Sequence, residues 1–110
     1  WNHKSNNYAW KSYLGRKNKP GDETIPQYAA ASRRTDLSGL PPCYILIGDL
    51  DLFHEESKEY ATRLEEHGVE TELDEIVGGF HGMMSNNLRD PPIVDAWERC
   101  HAFSKKYMFD

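Results

Sequence analysis

The sequence predicts an α/β fold that forms the end of a doubly wound parallel sheet. Residues 43–47 are an unbroken apolar run, which is typical of a buried central strand. Residues 54–67 carry apolar side chains at helical spacing, and residues 69–77 alternate between apolar and polar side chains. Strand, helix and strand in this order form a crossover unit, so the two strands are expected to be parallel neighbours.

The remaining segments are predicted to complete one part of a single domain. The expected parts are a helix over 1–15, a long loop over 16–42, the strand–helix–strand unit over 43–82 and a final helix over 91–108. The loop holds four of the six prolines, and Pro91-Pro92 can open the last helix. Its buried side is predicted from helical spacing to be Ile93, Trp97, Cys100, Ser104 and Tyr107.

Composition excludes several classes of function. The 13 Lys and Arg are outnumbered by 18 Asp and Glu, and the net charge of −5 argues against nucleic-acid binding. No long apolar stretch predicts a transmembrane segment. Cys43 and Cys100 are expected to be buried free thiols, and Trp1, Trp10 and Trp97 are expected in the core. The chain does not begin with methionine, so we expect a piece of a longer protein.

Two side chains follow the two predicted strands and point to hydrolytic chemistry. Asp51 follows the first strand and His81 follows the second, so both are expected at the carboxyl edge of the sheet. A carboxylate that orients an imidazole forms two-thirds of a hydrolytic triad. Asp49 is a competing acid, which strand alternation places on the same side as Asp51. Capping of the helix near His54 would also explain an aspartate at position 51.

The nucleophile of such a triad is missing from the sequence. The chain contains neither a Gly-x-Ser-x-Gly segment nor a His-Gly-Gly-Gly segment. Ser32 and Ser85 are not expected to replace it, because Ser85-Asn86-Asn87 is typical of a flexible turn. The sequence His54-Glu55-Glu56 lacks further metal ligands at suitable spacing, so a solvated helix start is the better interpretation.

Four segments resemble one known family in order and in spacing. They are Asp36-Leu37-Ser38-Gly39-Leu40-Pro41-Pro42, Gly48 to Phe53 followed by Glu55-Glu56, Tyr60-Ala61-x-Arg63-Leu64-x-x-x-Gly68-Val69-x-Thr71-Glu72-Leu73, and Gly79-Phe80-His81-Gly82. Together they resemble the C-terminal third of an α/β-hydrolase of the hormone-sensitive-lipase-like esterase group (α/β-hydrolase fold-3). The resemblance implies that the chain is a C-terminal fragment of such a hydrolase domain.

The resemblance also implies a chemistry. Asp51 corresponds to the triad acid and His81 to the general base of a serine carboxylic-ester hydrolase, an esterase or lipase. The family uses no cofactor and no metal. A fragment without the nucleophile serine is expected to be inactive by itself.

Two alternatives to an ester hydrolase stay open. A prolyl-oligopeptidase-type serine peptidase has its acid and histidine in the same order. A non-catalytic homologue that binds small molecules could use the same fold, although receptors of this kind lose the histidine that this chain keeps as His81.

The expected partners follow from the fragment. They are a carboxylic ester substrate in the parent protein and either the remainder of the hydrolase domain or a second copy of the chain. The remainder or the copy would bind the open edge of the strand over 43–47, where backbone groups lack a neighbouring strand. We also expect two strands with their helices to leave one face of the sheet poorly covered.

Overall fold

The computed structural model describes residues 1–86 and 88–108, which form two compact units, Trp1–Asp36 and the part from Leu37 onward. In the first unit, helix α1 spans His3–Leu14, and two short 3-10 helices span Gln27–Ala29 and Ala31–Arg33. The Asn2 side chain caps α1 by accepting the Ser5 N–H at 3.0 Å. Gly15 ends the helix with a φ of +70°, a conformation that glycine adopts without strain.

The second unit contains a two-stranded parallel sheet. Strand β1 is Cys43–Gly48 and strand β2 is Thr71–Ile76, with Cys43 opposite Thr71 and Gly48 opposite Ile76. Helix α2, His54–Glu66, makes the crossover between them, and helices α3, Met83–Asn86, and α4, Pro91–Met108, follow β2. The predicted α/β fold with two parallel strands and flanking helices is therefore confirmed.

A helix covers each face of the sheet. On one face, Cys43 and Ile45 of β1 pack against a cluster of Leu37, Leu64 and Val69, which includes a residue of α2. On the other face, Leu46 packs against a second cluster, formed by Ile76, Met83, Ile93 and Ala96. The expectation that one face would be poorly covered is wrong, because alternating side chains of β1 reach a separate helix on each side.

The buried side of α4 matches the prediction at Ile93 but differs from it at Trp97. Ile93 and Ala96 are its buried residues, whereas Trp97 is 40% exposed. Ala96 is completely buried in a cluster with Ile76 and Met83, so the buried stripe includes position 96 in place of the expected position 97. Trp1 is also exposed, so the expected tryptophan core is wrong for both residues.

Both cysteines lie in the second unit. Cys43 and Cys100 are free thiols, as expected, but both are only half-buried.

Asp74 of β2 accepts two hydrogen bonds from the Arg99 guanidinium of α4, at 2.8 and 2.9 Å, and a third from the Tyr44 hydroxyl of β1. Burial alone would raise the pKa of the Asp74 carboxyl, but these hydrogen bonds outweigh burial and lower it. The network attaches α4 to both strands.

The sheet has an open edge at β1. Within residues 1–86 and 88–108, β1 is hydrogen-bonded to β2 and to no other strand. Four of its six residues are only half-buried, although they include Ile45 and Leu46. None of the helices formed by these residues combines the length and the apolar character needed to cross a membrane.

Candidate active site

The site lies where the two parallel strands end and their turns meet. The turn after β1 begins at Asp49, whose N–H donates to the carbonyl of Ile76 at 3.1 Å. The next residue, Leu50, donates its N–H to the Gly79 carbonyl at 3.0 Å. Gly48 and Gly79 touch so closely that a Cβ built on Gly48 would lie 2.2 Å from the carbonyl carbon of Gly79. Backbone contacts therefore hold the two turns together.

Asp51 and His81 meet across these turns. The His81 Nδ1 lies 3.0 Å from the Asp51 Oδ2, within hydrogen-bond distance, so the two residues expected at the same edge of the sheet do meet. The Asp51 side chain is 7% exposed and the His81 side chain is 41% exposed. The acid is thus enclosed while the imidazole is accessible, an arrangement suited to passing a proton between the ring and a bound group.

The second carboxylate oxygen of Asp51 fixes its own turn. Asp51 Oδ1 accepts the N–H of Phe53 at 2.9 Å. The N-cap residue of α2 is Phe53, and it makes no side-chain capping bond, so Asp51 does not cap the helix itself. One oxygen shapes the turn and the other faces the imidazole, which leaves the carboxylate little freedom to rotate.

Asp49, the competing acid, contacts a different group. Its Oδ1 accepts the N–H of Gly78 at 2.7 Å. Alternation along the strand does not extend to these acids, because β1 ends at Gly48 and a turn follows. Strand alternation therefore does not place Asp49 and Asp51 on one side. The turn directs each carboxylate to its own partner.

An apolar depression of about 310 Å³ surrounds the imidazole. The Phe53 ring stands edge-on to the His81 ring, with centroids 5.6 Å apart. Leu46, Met83 and Met84 also line the depression. Met83 is 5% exposed and belongs to the core, whereas Met84 is half-buried. Of the two methionines, Met83 therefore acts mainly in packing behind the histidine turn.

The sequence did not reveal a contact between α2 and β2 near the site. The His54 Nε2 lies 2.6 Å from a carboxylate oxygen of Glu75, and its Nδ1 lies 3.0 Å from a carboxylate oxygen of Glu55. The hydrogen bond to Glu75 is the main reason that the pKa of His54 is raised above its ordinary value of 6.5. Only the Ile47–Glu75 register of the sheet brings this glutamate to α2. Among the described residues, no group of three or more His, Cys, Asp or Glu side chains could hold a metal ion.

The serines occupy other places. Ser85 is an exposed residue of the short helix α3, so the expected flexible turn is wrong for Ser85 and Asn86. Asn87 lies outside the described residues. Ser32 belongs to a 3-10 helix of the first unit.

Comparisons with known proteins agree with this fold. The chain is 41% identical over 68 residues to the mouse neutral cholesterol ester hydrolase 1, a match to 56% of this chain and 17% of the mouse protein. Among solved structures, a bacterial heroin esterase is 39% identical with a TM-score of 0.77, over 83% of this chain and 29% of that chain. Esterase LipW from Mycobacterium marinum is 29% identical, also with a TM-score of 0.77, over 92% of this chain and 31% of that chain.

The chain is much shorter than these proteins. It spans 11% to 17% of the length of the curated cholesterol ester hydrolases that it matches. The sequence profile of a family described as alpha/beta hydrolase fold matches residues 1–85, which is more than half of the chain. The chain therefore belongs to the alpha/beta hydrolase fold family, as its resemblance to the hormone-sensitive-lipase-like esterases predicted.

Proposed function

We propose that the chain supplies the acid and the base of a serine carboxylic-ester hydrolase. Asp51 is the acid and His81 the base. The observation that carries the proposal is the 3.0 Å contact between the Asp51 carboxylate and the His81 Nδ1 at the carboxyl ends of adjacent parallel strands. The accessible imidazole beside an enclosed carboxylate supports the same roles.

The two residues divide the proton chemistry between them. Asp51 accepts a hydrogen bond from the Nδ1–H of His81, which selects the tautomer whose Nε2 can act as a base. The His81 Nε2 takes the proton of a serine hydroxyl as its oxygen attacks the ester carbonyl carbon, and Asp51 stabilises the imidazolium that forms. When the tetrahedral intermediate collapses, His81 gives this proton to the departing alcohol oxygen. Water then attacks the acyl group left on the serine, and His81 again takes and returns a proton. The carboxylic acid of the substrate is released.

Esters are the substrate class that the relatives support. The matched proteins are named as a cholesterol ester hydrolase, a heroin esterase and further esterases. The depression around His81 is mostly apolar, with Leu46, Phe53 and Met84 among its lining residues, which suits the uncharged part of an ester.

The nucleophile is proposed to come from outside these 110 residues, since no serine here lies in a Gly-x-Ser-x-Gly segment. The chain alone is then inactive. The open edge of β1 is the place where a strand from the rest of the hydrolase domain would pair. Unpaired backbone groups beside half-buried apolar side chains favour such pairing.

The test uses the complete hydrolase that carries this chain. A fluorophosphonate should label one serine, and hydrolysis of a p-nitrophenyl ester should fall by about 10³-fold or more in His81→Ala. Asp51→Asn should also lose most of its activity, because the amide favours the wrong tautomer. His101→Ala removes an exposed histidine of α4 and is the matched control. Ser85→Ala should likewise keep full activity.

Several outcomes would reject the proposal. An enzyme that reacts with no fluorophosphonate and hydrolyses esters equally well after His81→Ala has no such base. Cleavage of peptides after proline with no ester turnover would favour the peptidase alternative, and tight ester binding without turnover would favour a receptor.

The partner proposal has its own measurement. The 110-residue chain, expressed alone, should pair its open edge with a second copy, and light scattering should report a mass above 12.7 kDa. Co-expression with the missing part of the domain should replace this self-association by a one-to-one complex. A stable monomer would contradict both forms of edge pairing.

A further inference from the structure

A side chain joins the backbone contacts between the two turns. The Asp49 Oδ1 accepts the N–H of Gly78 at 2.7 Å. Gly78 is the second residue after β2, and His81 follows three positions later. The bond therefore ties the start of the histidine turn to the first residue after β1.

The histidine turn needs such a tie because its backbone is unusually free. Gly78, Gly79 and Gly82 surround His81, and two of them have positive φ values, +73° at Gly78 and +82° at Gly82. Glycine permits these conformations but also permits many others, so the turn has little intrinsic preference for the observed shape. Besides the hydrogen bond that the Gly79 N–H donates to the Ile76 carbonyl at 3.0 Å, contacts from outside the turn help to select this shape.

We propose that Asp49 is a positioning residue for His81. Its carboxylate holds the Gly78 N–H, which sets where the histidine turn leaves β2 and thereby sets the distance from the imidazole to Asp51. The role rests on the proposed function of His81, but the placement of the ring can be measured without turnover. Asp49 touches neither the imidazole nor the proposed reacting atoms in this arrangement, so it is not itself a catalytic residue.

The neighbouring contacts explain why one hydrogen bond has this effect. The Asp49 N–H donates to the Ile76 carbonyl, and the Asp49 side chain accepts the Gly78 N–H. A single residue therefore holds the backbone on both sides of Val77, the first residue after β2. Leu50 holds the next step through Gly79. Without the carboxylate, the peptide between Val77 and Gly78 loses its partner and can rotate, and the rotation is passed on to His81.

Exposure makes the proposal open to a clean test. Asp49 is exposed and contributes nothing to either apolar cluster, so its replacement should leave the core intact. In the complete hydrolase, Asp49→Ala should lower kcat for a p-nitrophenyl ester about tenfold with little change in KM, since small misplacements of a base reduce turnover. Asp49→Asn keeps an oxygen acceptor and should restore kcat to within a few-fold of the original. Glu56→Ala, which removes an exposed acid from the first turn of α2, is the control.

A second readout is independent of turnover. Proton NMR of the same proteins should show the His81 Nδ1 proton far downfield in the original protein, displaced in Asp49→Ala and restored in Asp49→Asn. Thermal unfolding should show that all three variants are folded.

The outcomes separate this inference from the proposed function. An active hydrolase in which Asp49→Ala keeps both kcat and the Nδ1 signal overturns the positioning role and leaves the triad intact. Equal losses in Asp49→Ala and Asp49→Asn also overturn it, because a hydrogen-bond acceptor would not be the cause. If the original protein hydrolyses no ester, the proposed function fails, and the Nδ1 signal alone decides whether Asp49 positions the ring.

Discussion

Gly48→Ala is the substitution for which the structure gives the most direct expectation. Gly48 ends β1, and its Cα faces the backbone of Gly79 in the histidine turn. A Cβ at position 48 would lie 2.2 Å from the carbonyl carbon and the carbonyl oxygen of Gly79. Those atoms are backbone, so they cannot rotate away as the end of a flexible side chain could. The turns that carry Asp51 and His81 must separate.

The size of the movement sets the size of the effect. Ordinary contact begins near 3.4 Å, so the two turns must part by about 1 Å. That displacement would lengthen the 3.0 Å hydrogen bond between Asp51 and His81 beyond useful range. A misplacement of this size costs about 100-fold in kcat, or about 2.7 kcal/mol of activation free energy. Crowding the contact should also lower the free energy of unfolding by about 1–3 kcal/mol.

The assay compares Gly48→Ala with Gly68→Ala in the complete hydrolase. Gly68 has a φ of +75°, and a Cβ added there would have no neighbouring atom within 4 Å. Alanine at this position strains the backbone by about 1–2 kcal/mol without crowding any neighbour. Both variants should lose similar amounts of stability in urea unfolding, but only Gly48→Ala should lose kcat. The pair therefore separates damage to the site from damage to the fold.

Two results would contradict the expected effect of crowding at Gly48. The first is a Gly48→Ala enzyme with the original kcat, which would mean that the turns move apart without affecting the proposed pair. The second is a Gly68→Ala enzyme that loses as much kcat as Gly48→Ala, which would mean that stability alone explains the loss.

Three further predictions concern stability, each measured by urea unfolding. Leu37 is fully buried, so Leu37→Ala should lower the free energy of unfolding by about 2–5 kcal/mol, and a loss below about 1 kcal/mol would contradict its place in the core. The folded pKa of Asp74 is lowered by Arg99, so the stabilisation is present above the ordinary pKa of 3.8 and is lost as pH falls through the folded pKa. Asp74→Asn should therefore be the less stable protein at neutral pH and should converge with the original in acid; a constant gap would argue against the ion pair. The folded pKa of His54 is raised, so its stabilisation is complete below 6.5 and is lost as pH rises through the folded pKa. The difference in free energy of unfolding between Glu75→Gln and the original protein should shrink as pH rises through the folded pKa of His54. A difference that grows over this pH range would contradict the direction of the pKa shift.

Local patterns predicted the secondary-structure elements and placed two polar side chains at the strand ends. The apolar run of β1, the helical spacing of α2 and the order of the segments predicted a parallel pair of strands, because such periodicities act over a few residues. Parallel strands place their carboxyl ends at one edge, so Asp51 and His81 could be expected together before any distance was known. The Asp36-Leu37-Ser38-Gly39-Leu40 segment, which resembled the family, also contributes to the core. Leu37 is fully buried beside Leu64 and Val69.

Tertiary structure decided which side chain meets which. Strand alternation ends at Gly48, which is the last residue of β1. Asp49 and Asp51 therefore reach different partners, although they are two residues apart. The buried face of α4 includes Ala96, which packs in a cluster with Ile76 and Met83, whereas helical spacing had placed Trp97 there. The His54–Glu75 contact depends on the pairing of Ile47 with Glu75. Residues about 20 to 30 positions apart are brought together by the register of β1 on β2, and the alternation of side chains restricts that register only to steps of two residues, so tertiary contacts select it.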